Sequence, residues 1–177
     1  GATVITLTDV TATVTPLNFI STNVNYWKKI IDKYYSKYTG IAAWHEKIIR
    51  EVSKTSRLEM FTGRTYEWDL MKFGSFKVPT TQVKNYPVQG LGADVVSIAR
   101  VSLHRRWKAS QLTGLLVNTV HDSCVFDLPN DEVEESIELI EGVFRDLPTN
   151  ISRIFGVDWD LKIQVEILTG HNMYELQ

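Results

Sequence analysis

With 177 residues, 44% of them hydrophobic and 23% charged, the chain is long enough to bury a core of its own and too apolar to stay disordered. A formal charge of -2 excludes a general polycation that wraps nucleic acid or an anionic membrane, so any nucleic-acid contact has to be local. The lone cysteine, Cys124, excludes an internal disulfide and a multi-cysteine zinc site, and no apolar run is long enough to span a bilayer. The N-terminus also lacks the charged region and cleavage site of a signal peptide, and together these features point to a soluble, cytoplasmic protein.

Residues 1–20 are rich in Thr, Val, Ile and Leu and almost free of charge, which predicts a strand or two and an extended connection. Ser21-Thr22-Asn23 then offers an N-cap to a helix whose Tyr26, Trp27, Ile30, Ile31, Tyr34 and Tyr35 recur at three- and four-residue spacing, with Gly40 as its stop. A second helix, from about Ile41 to Thr55, places Trp44, Ile48, Ile49 and Val52 on one face and pairs antiparallel with the first across a short loop. Arg57 to Trp68 reads as a hairpin turning at Thr62-Gly63, where Arg64 is either solvated or functional. Residues 69–80 read as loop.

Pro87 suits the first turn of a helix continuing through Val95, Val96, Ile98, Ala99, Val101, Leu103 and Trp107. Gly90, Gly92 and Ala93 leave its N-terminal turn open to close approach, and Asn85 and Gln89 bracket that point as helix caps or as amides that donate and accept to a ligand. The basic run Arg100, His104, Arg105, Arg106, Lys108 favours the helix C-terminus electrostatically and reads first as a solvated face.

Val117 to Leu128 is an apolar run broken by His121-Asp122-Ser123, a tight hairpin with a carboxylate at its tip. Asp and Ser are ordinary turn formers, so the triplet by itself also fits a plain turn; a carboxylate kept hydrated between two buried strands makes Asp122 the leading metal-ligand candidate. Pro129-Asn130-Asp131-Glu132 opens a helix striped by Val133, Ile137, Ile140, Val143 and Phe144 and closed by Pro148. Residues 161–167 alternate as a half-buried strand, ahead of a tail from Thr169 to Tyr174.

Several of these stretches, in this order, resemble the C-terminal part of a family A DNA polymerase. Tyr34-Tyr35-Ser36-Lys37-Tyr38-Thr39-Gly40 resembles the family's aromatic-rich helix end, and Thr62-Gly63-Arg64 its Gly-Arg turn. Asn85-Tyr86-Pro87-Val88-Gln89-Gly90-Leu91-Gly92-Ala93-Asp94 is similar to its Asn-x-Pro-x-Gln-Gly-x-x-Ala-Asp segment, and Val120-His121-Asp122-Ser123 to its third catalytic motif, Val-His-Asp-Glu. Val165-Glu166 and Gly170-His171-Asn172 resemble its closing strand and Gly-x-Asn-Trp ending.

The resemblance implies an α+β fold in which the hairpin and the C-terminal strand share an antiparallel palm-type sheet covered by helices, with a fingers-type helix pair ahead of it. Its subdivision would be a β-rich extension over 1–20, a fingers-type part over 21–80 and a palm over 81–177. It implies nucleotidyl transfer from a deoxynucleoside triphosphate to a primer by two Mg2+ ions, with Asp122 as one of two shared aspartates and His121 at the primer terminus. Asn85, Gln89 and Arg64 would hold primer-template DNA, the amides sensing minor-groove acceptors present at every base pair. Ser123 stands where the family has Glu, reaching a metal through water at most, and Met173 where it has Trp. No segment matches the first catalytic motif or the nucleotide-gripping fingers helix. The expectation is therefore a split enzyme, active with a partner polypeptide, in a bacterial cell or phage-infected host; the alternative is a non-catalytic DNA-binding or replication-partner module.

Overall fold

The computed structural model describes residues 2–6, 23–72 and 75–176. The chain divides into two compact units, one of Gly1–Thr11 with Leu91–Gln177 and one of Ala12–Gly90. The remaining part of the expected 1–20 extension lies outside the described residues.

In the Ala12–Gly90 unit, α1 (Val24–Lys37) starts at Asn23, whose side chain accepts the amide hydrogen of Asn25 at 2.9 Å. Helix α2 (Thr39–Thr55) follows after one residue, Tyr38, and this corrects the expected loop: Gly40 lies inside the second helix and stops nothing. A one-residue joint leaves no chain to fold the helices back along each other. Their recorded side-chain contact is at the corner, where the Tyr35 hydroxyl and His45 Nδ1 lie 3.2 Å apart. Ile48 and Val52 of α2 pack with Leu58, Trp68, Leu70 and Val83 into a small core. Helix α1 buries no residue at all.

Strands β2 (Arg57–Glu59) and β3 (Thr65–Glu67) form the expected hairpin, with Gly63 at φ 85° in the turn. The predicted 69–80 loop contains a second, two-residue ladder, β4 (Met71–Lys72) against β5 (Ser75–Phe76).

Helix α3 runs from Thr80 to Ala109, two turns longer at its start than the sequence reading had it, with Pro87 inside. The proline that begins it is Pro79, whose carbonyl accepts the Val83 amide at 3.0 Å. Val83 and Pro87, one turn apart, are both buried, so inward packing holds the helix where Pro87 supplies no amide hydrogen.

In the other unit, β6 (Leu115–Val120), β7 (Ser123–Asp127), β1 (Ala2–Thr6) and β8 (Glu166–Gly170) form one antiparallel sheet in the order β6-β7-β1-β8. The hairpin and the C-terminal strand thus share a sheet as expected, with β1 between them. Cys124, Phe126 and Leu128 turn one way from β7 and beyond it, into Val95, Ala99 and Leu103 of α3 and Ile140, Val143, Phe144, Leu147 and Ile151 of α4 (Val133–Phe155). That packing fixes β7's register, because a one-residue slip would turn the whole set away from α3 and α4.

Two expectations fail here for the same reason, that burial outweighs local signals. Pro148 does not end α4; Leu147 and Ile151 continue its buried stripe, and the helix closes on left-handed Gly156, whose amide donates to Ser152 O at 2.9 Å. Of the predicted 161–167 strand only Glu166 onward is laddered, although Ile163, Val165 and Ile167 still pack on the core at alternate positions. Among the described residues no helix is long and apolar enough to cross a membrane.

Candidate nucleic-acid and catalytic site

The hairpin between β6 and β7 is as tight as a hairpin can be, since Val120 pairs with Ser123 and only His121 and Asp122 turn the chain. Two-residue hairpins need left-handed backbone at the first turn residue. His121 supplies it at φ 52°, where Gly is the usual occupant. A non-glycine residue held there costs on the order of 1 kcal/mol, and such strain clusters at functional positions. His121→Gly should therefore melt no lower than the native chain, and a drop in Tm would show that the imidazole itself supports the turn.

The tip leaves both side chains in solvent. His121 and Asp122 are exposed, Ser123 is half-buried, and Cys124 behind them is buried, its thiol pushed up from its usual range chiefly by desolvation. The register places Thr6 of β1 opposite Ser123 on one side and opposite Glu166 on the other, so Glu166 lies in the tip row two strands from the hairpin. In the sequence Glu166 stands out only as part of the closing strand. Its signal was the alternation of 163–167, which turns it away from the helix-covered face. Toward the other end of the sheet a hollow of about 470 Å³ is lined by Asn118, Asp127, His171, Asn172 and neighbours, bringing the Gly-His-Asn tail against β6 and β7.

Behind the hairpin the start of β6 is fixed to the approach of α4. Glu132 accepts hydrogen bonds from Thr113 Oγ1 (2.7 Å) and the amides of Thr113 (2.9 Å) and Gly114 (3.0 Å), and the Thr113 hydroxyl foremost holds its pKa below the usual glutamate range.

The second group of site residues lies in the other unit. Asn85 and Gln89 are exposed on α3 four residues apart, hence on one face, and neither caps the helix because both lie inside it. Tyr66 reaches from β3 to donate its hydroxyl to the Tyr86 carbonyl at 2.8 Å, and Trp68 stacks on both Tyr66 and Tyr86 with ring centroids 6.0 and 6.5 Å apart. Gly90 makes this approach possible: a Cβ there would overlap the Tyr66 hydroxyl and come within 2.9 Å of Arg64 Cδ. The structure thus brings Arg64 to the same turn of α3 as Gln89. Gly90→Ala should force the β2–β3 hairpin off the helix and cost about 1 to 3 kcal/mol, the usual range for overpacking. A melting curve that matches the native chain's would contradict this contact.

Magnesium fits the tip in part. Mg2+ keeps several waters and takes one or two carboxylates plus substrate phosphates, so the exposed Asp122 can serve as one such ligand. Among the described residues no three of His, Cys, Asp or Glu are grouped to hold a metal by themselves, so further ligands would have to be added.

Comparison with known proteins places this geometry. A family model, DNA polymerase family A, matches residues 18–175. DNA polymerase I of Lactococcus lactis subsp. lactis is 25% identical over 151 residues, covering 84% of this chain and 16% of that protein. The thermostable DNA polymerase I of Thermus filiformis is 31% identical over 137 residues, covering 73% and 16%, and the DNA polymerase of Bacillus phage SP01 is 27% identical over 145, covering 80% and 16%. Among solved structures, the POL domain of Pol1 from M. smegmatis in complex with DNA primer-template and dNTP superimposes with a TM-score of 0.73 at 16% identity, over 87% of this chain and 26% of that one. The chain belongs to DNA polymerase family A. It spans about 16% of the length of these polymerase relatives.

Proposed function

We propose that this chain supplies the Asp122 hairpin and primer-template contacts to a DNA-directed DNA polymerase, and that it works with a partner polypeptide carrying the rest of the active site. The observation that carries the reading is the hairpin tip: a strained His121 and an exposed Asp122 held by a register that the buried Cys124 and Phe126 lock. In this reading Asp122 would hold one Mg2+ and Ser123 would reach it through water, and the ion would supply charge neutralisation at the phosphates and activation of the primer hydroxyl. His121 orients the primer terminus. Asn85 and Gln89 donate to minor-groove acceptors, and Arg64 contacts the DNA backbone beside them.

Support for a partner comes from α1, which exposes Val24 (77%), Ile31 (51%), Tyr34 (46%) and Ile30 (43%) and buries nothing. A short helix with so wide an uncovered apolar stripe gains little stability by itself, and such patches mark association. The proposed subdivision is a β-rich N-terminal extension over 1–20, a fingers-type part over 21–80 and a palm over 81–177.

A second reading, a DNA-binding module without chemistry, draws on Ser123 in place of the family's Glu and on the absence of a three-ligand group among the described residues. Asp122→Ala separates the two when synthesis and primer-template retention are both scored. Loss of synthesis with retention kept supports the polymerase reading, and no effect on either supports the module.

A further inference from the structure

The near-neutral net charge hides a division between the two units. Of the 19 Lys and Arg residues 12 fall in Ala12–Gly90, against 6 of the 21 Asp and Glu, so that unit carries +6; the other carries 7 against 15, or -8. Half of that excess is on one helix. Helix α1 has Lys28, Lys29, Lys33 and Lys37 against the single acid Asp32.

Lys29, Lys33 and Lys37 are four residues apart, so they line up along the helix at about 6 Å per step, on the side away from Ile31 and Val24. All three are exposed, and no ion pair involving them is present among the described residues. Lys37 extends over the Tyr38 ring, 5.3 Å from its centroid. Tyr26, 47% exposed, lies near the same line one turn before Lys29.

We propose that this lysine face of α1 binds the phosphate backbone of single-stranded DNA, the unpaired strand that a primer-template presents beyond its duplex. A straight row of cations at this spacing follows one strand of a repeating polyanion, and an adjacent exposed aromatic offers a stacking surface that only unpaired bases can use. An acidic protein surface would have no such repeat to match. The inference goes beyond the proposed chemistry at Asp122 and does not require it.

The test is fluorescence anisotropy in EDTA, so that no metal site takes part, using a labelled oligothymidylate and a labelled blunt duplex. The native chain is compared with a Lys29→Gln, Lys33→Gln, Lys37→Gln triple variant and with the corresponding triple Lys→Arg variant. Circular dichroism checks that α1 remains folded. Across about 50 to 200 mM salt, the Gln variant should bind oligothymidylate at least tenfold more weakly, with a log-log salt slope shallower by about 2, since each single-strand phosphate contact contributes roughly 0.7. The Arg variant should bind as the native chain does, and duplex affinity should change less than threefold. An unchanged slope, an equal loss on duplex, or no binding of oligothymidylate by the native chain would each overturn the proposal.

Discussion

Asp122→Ala, tested in the assembled polymerase, is expected to reduce nucleotide incorporation about a thousandfold or more while leaving primer-template affinity within a few-fold. Polymerisation is a phosphoryl transfer in which catalysis is positioning and charge neutralisation, and metal ions contribute several kcal/mol to the transition state. If Asp122 has the proposed role of metal ligand, removing it forfeits most of that, and each 1.36 kcal/mol is a factor of ten in rate. Because Asp122 is exposed at a turn and makes no recorded hydrogen bond to another described residue, its loss should leave the Tm nearly unchanged. A large fall in Tm, or activity retained above a tenth, would mean that the carboxylate serves the turn and not the chemistry.

Phe126→Ala should have the opposite signature, a stability loss of about 3 to 5 kcal/mol, the usual cost of truncating a buried Phe. Phe126 is 1% exposed, stacks on Trp107 with centroids 5.1 Å apart, and lies in the layer between β7 and the α3 and α4 helices. Trp107 is itself tied back to the start of β6 through its indole N–H, which donates to the Gly114 carbonyl at 2.7 Å. The cavity would therefore open beneath the β6–β7 hairpin. Thermal unfolding should show a Tm lowered by about 6 to 20 °C, at about 2 to 4 °C per kcal/mol for a chain of this length, and activity should vanish only as the fold does. A Tm shift under three degrees would contradict the packing described here.

The elements that sequence reading located well are those in which one strong pattern dominates. Cys124, Val125 and Phe126 flanking a His-Asp-Ser break could hardly be anything but a hairpin, and the Ile140, Val143, Phe144 stripe marks α4. It misplaced boundaries wherever proline was taken as punctuation. Pro87 and Pro148 each cost a helix interior about 3 kcal/mol, through a lost hydrogen bond and a ring clash with the preceding turn, yet buried neighbours at Val83, Leu147 and Ile151 outweigh that cost. Nor could local sequence show that β1, more than a hundred residues away in the chain, pairs with both β7 and β8, since strand order is set by contacts with no local signature. For the candidate residues, their spatial grouping was not legible: Arg64 comes to the Gln89-Gly90 turn because Gly90 has no Cβ to hold off Arg64 Cδ and the Tyr66 hydroxyl. The basic character of the Ala12–Gly90 unit was hidden because whole-chain charge averages it against an acidic partner unit.

The most direct test of the account is primer extension with magnesium and all four deoxynucleoside triphosphates, run on the chain alone and again with the protein that co-purifies with it from its native source. The account predicts no extension by the chain alone and extension on adding that partner, lost again when the chain carries Asp122→Ala. Robust extension by the isolated chain would contradict the need for a partner, and extension by the pair with Asp122→Ala would contradict the role given to the hairpin.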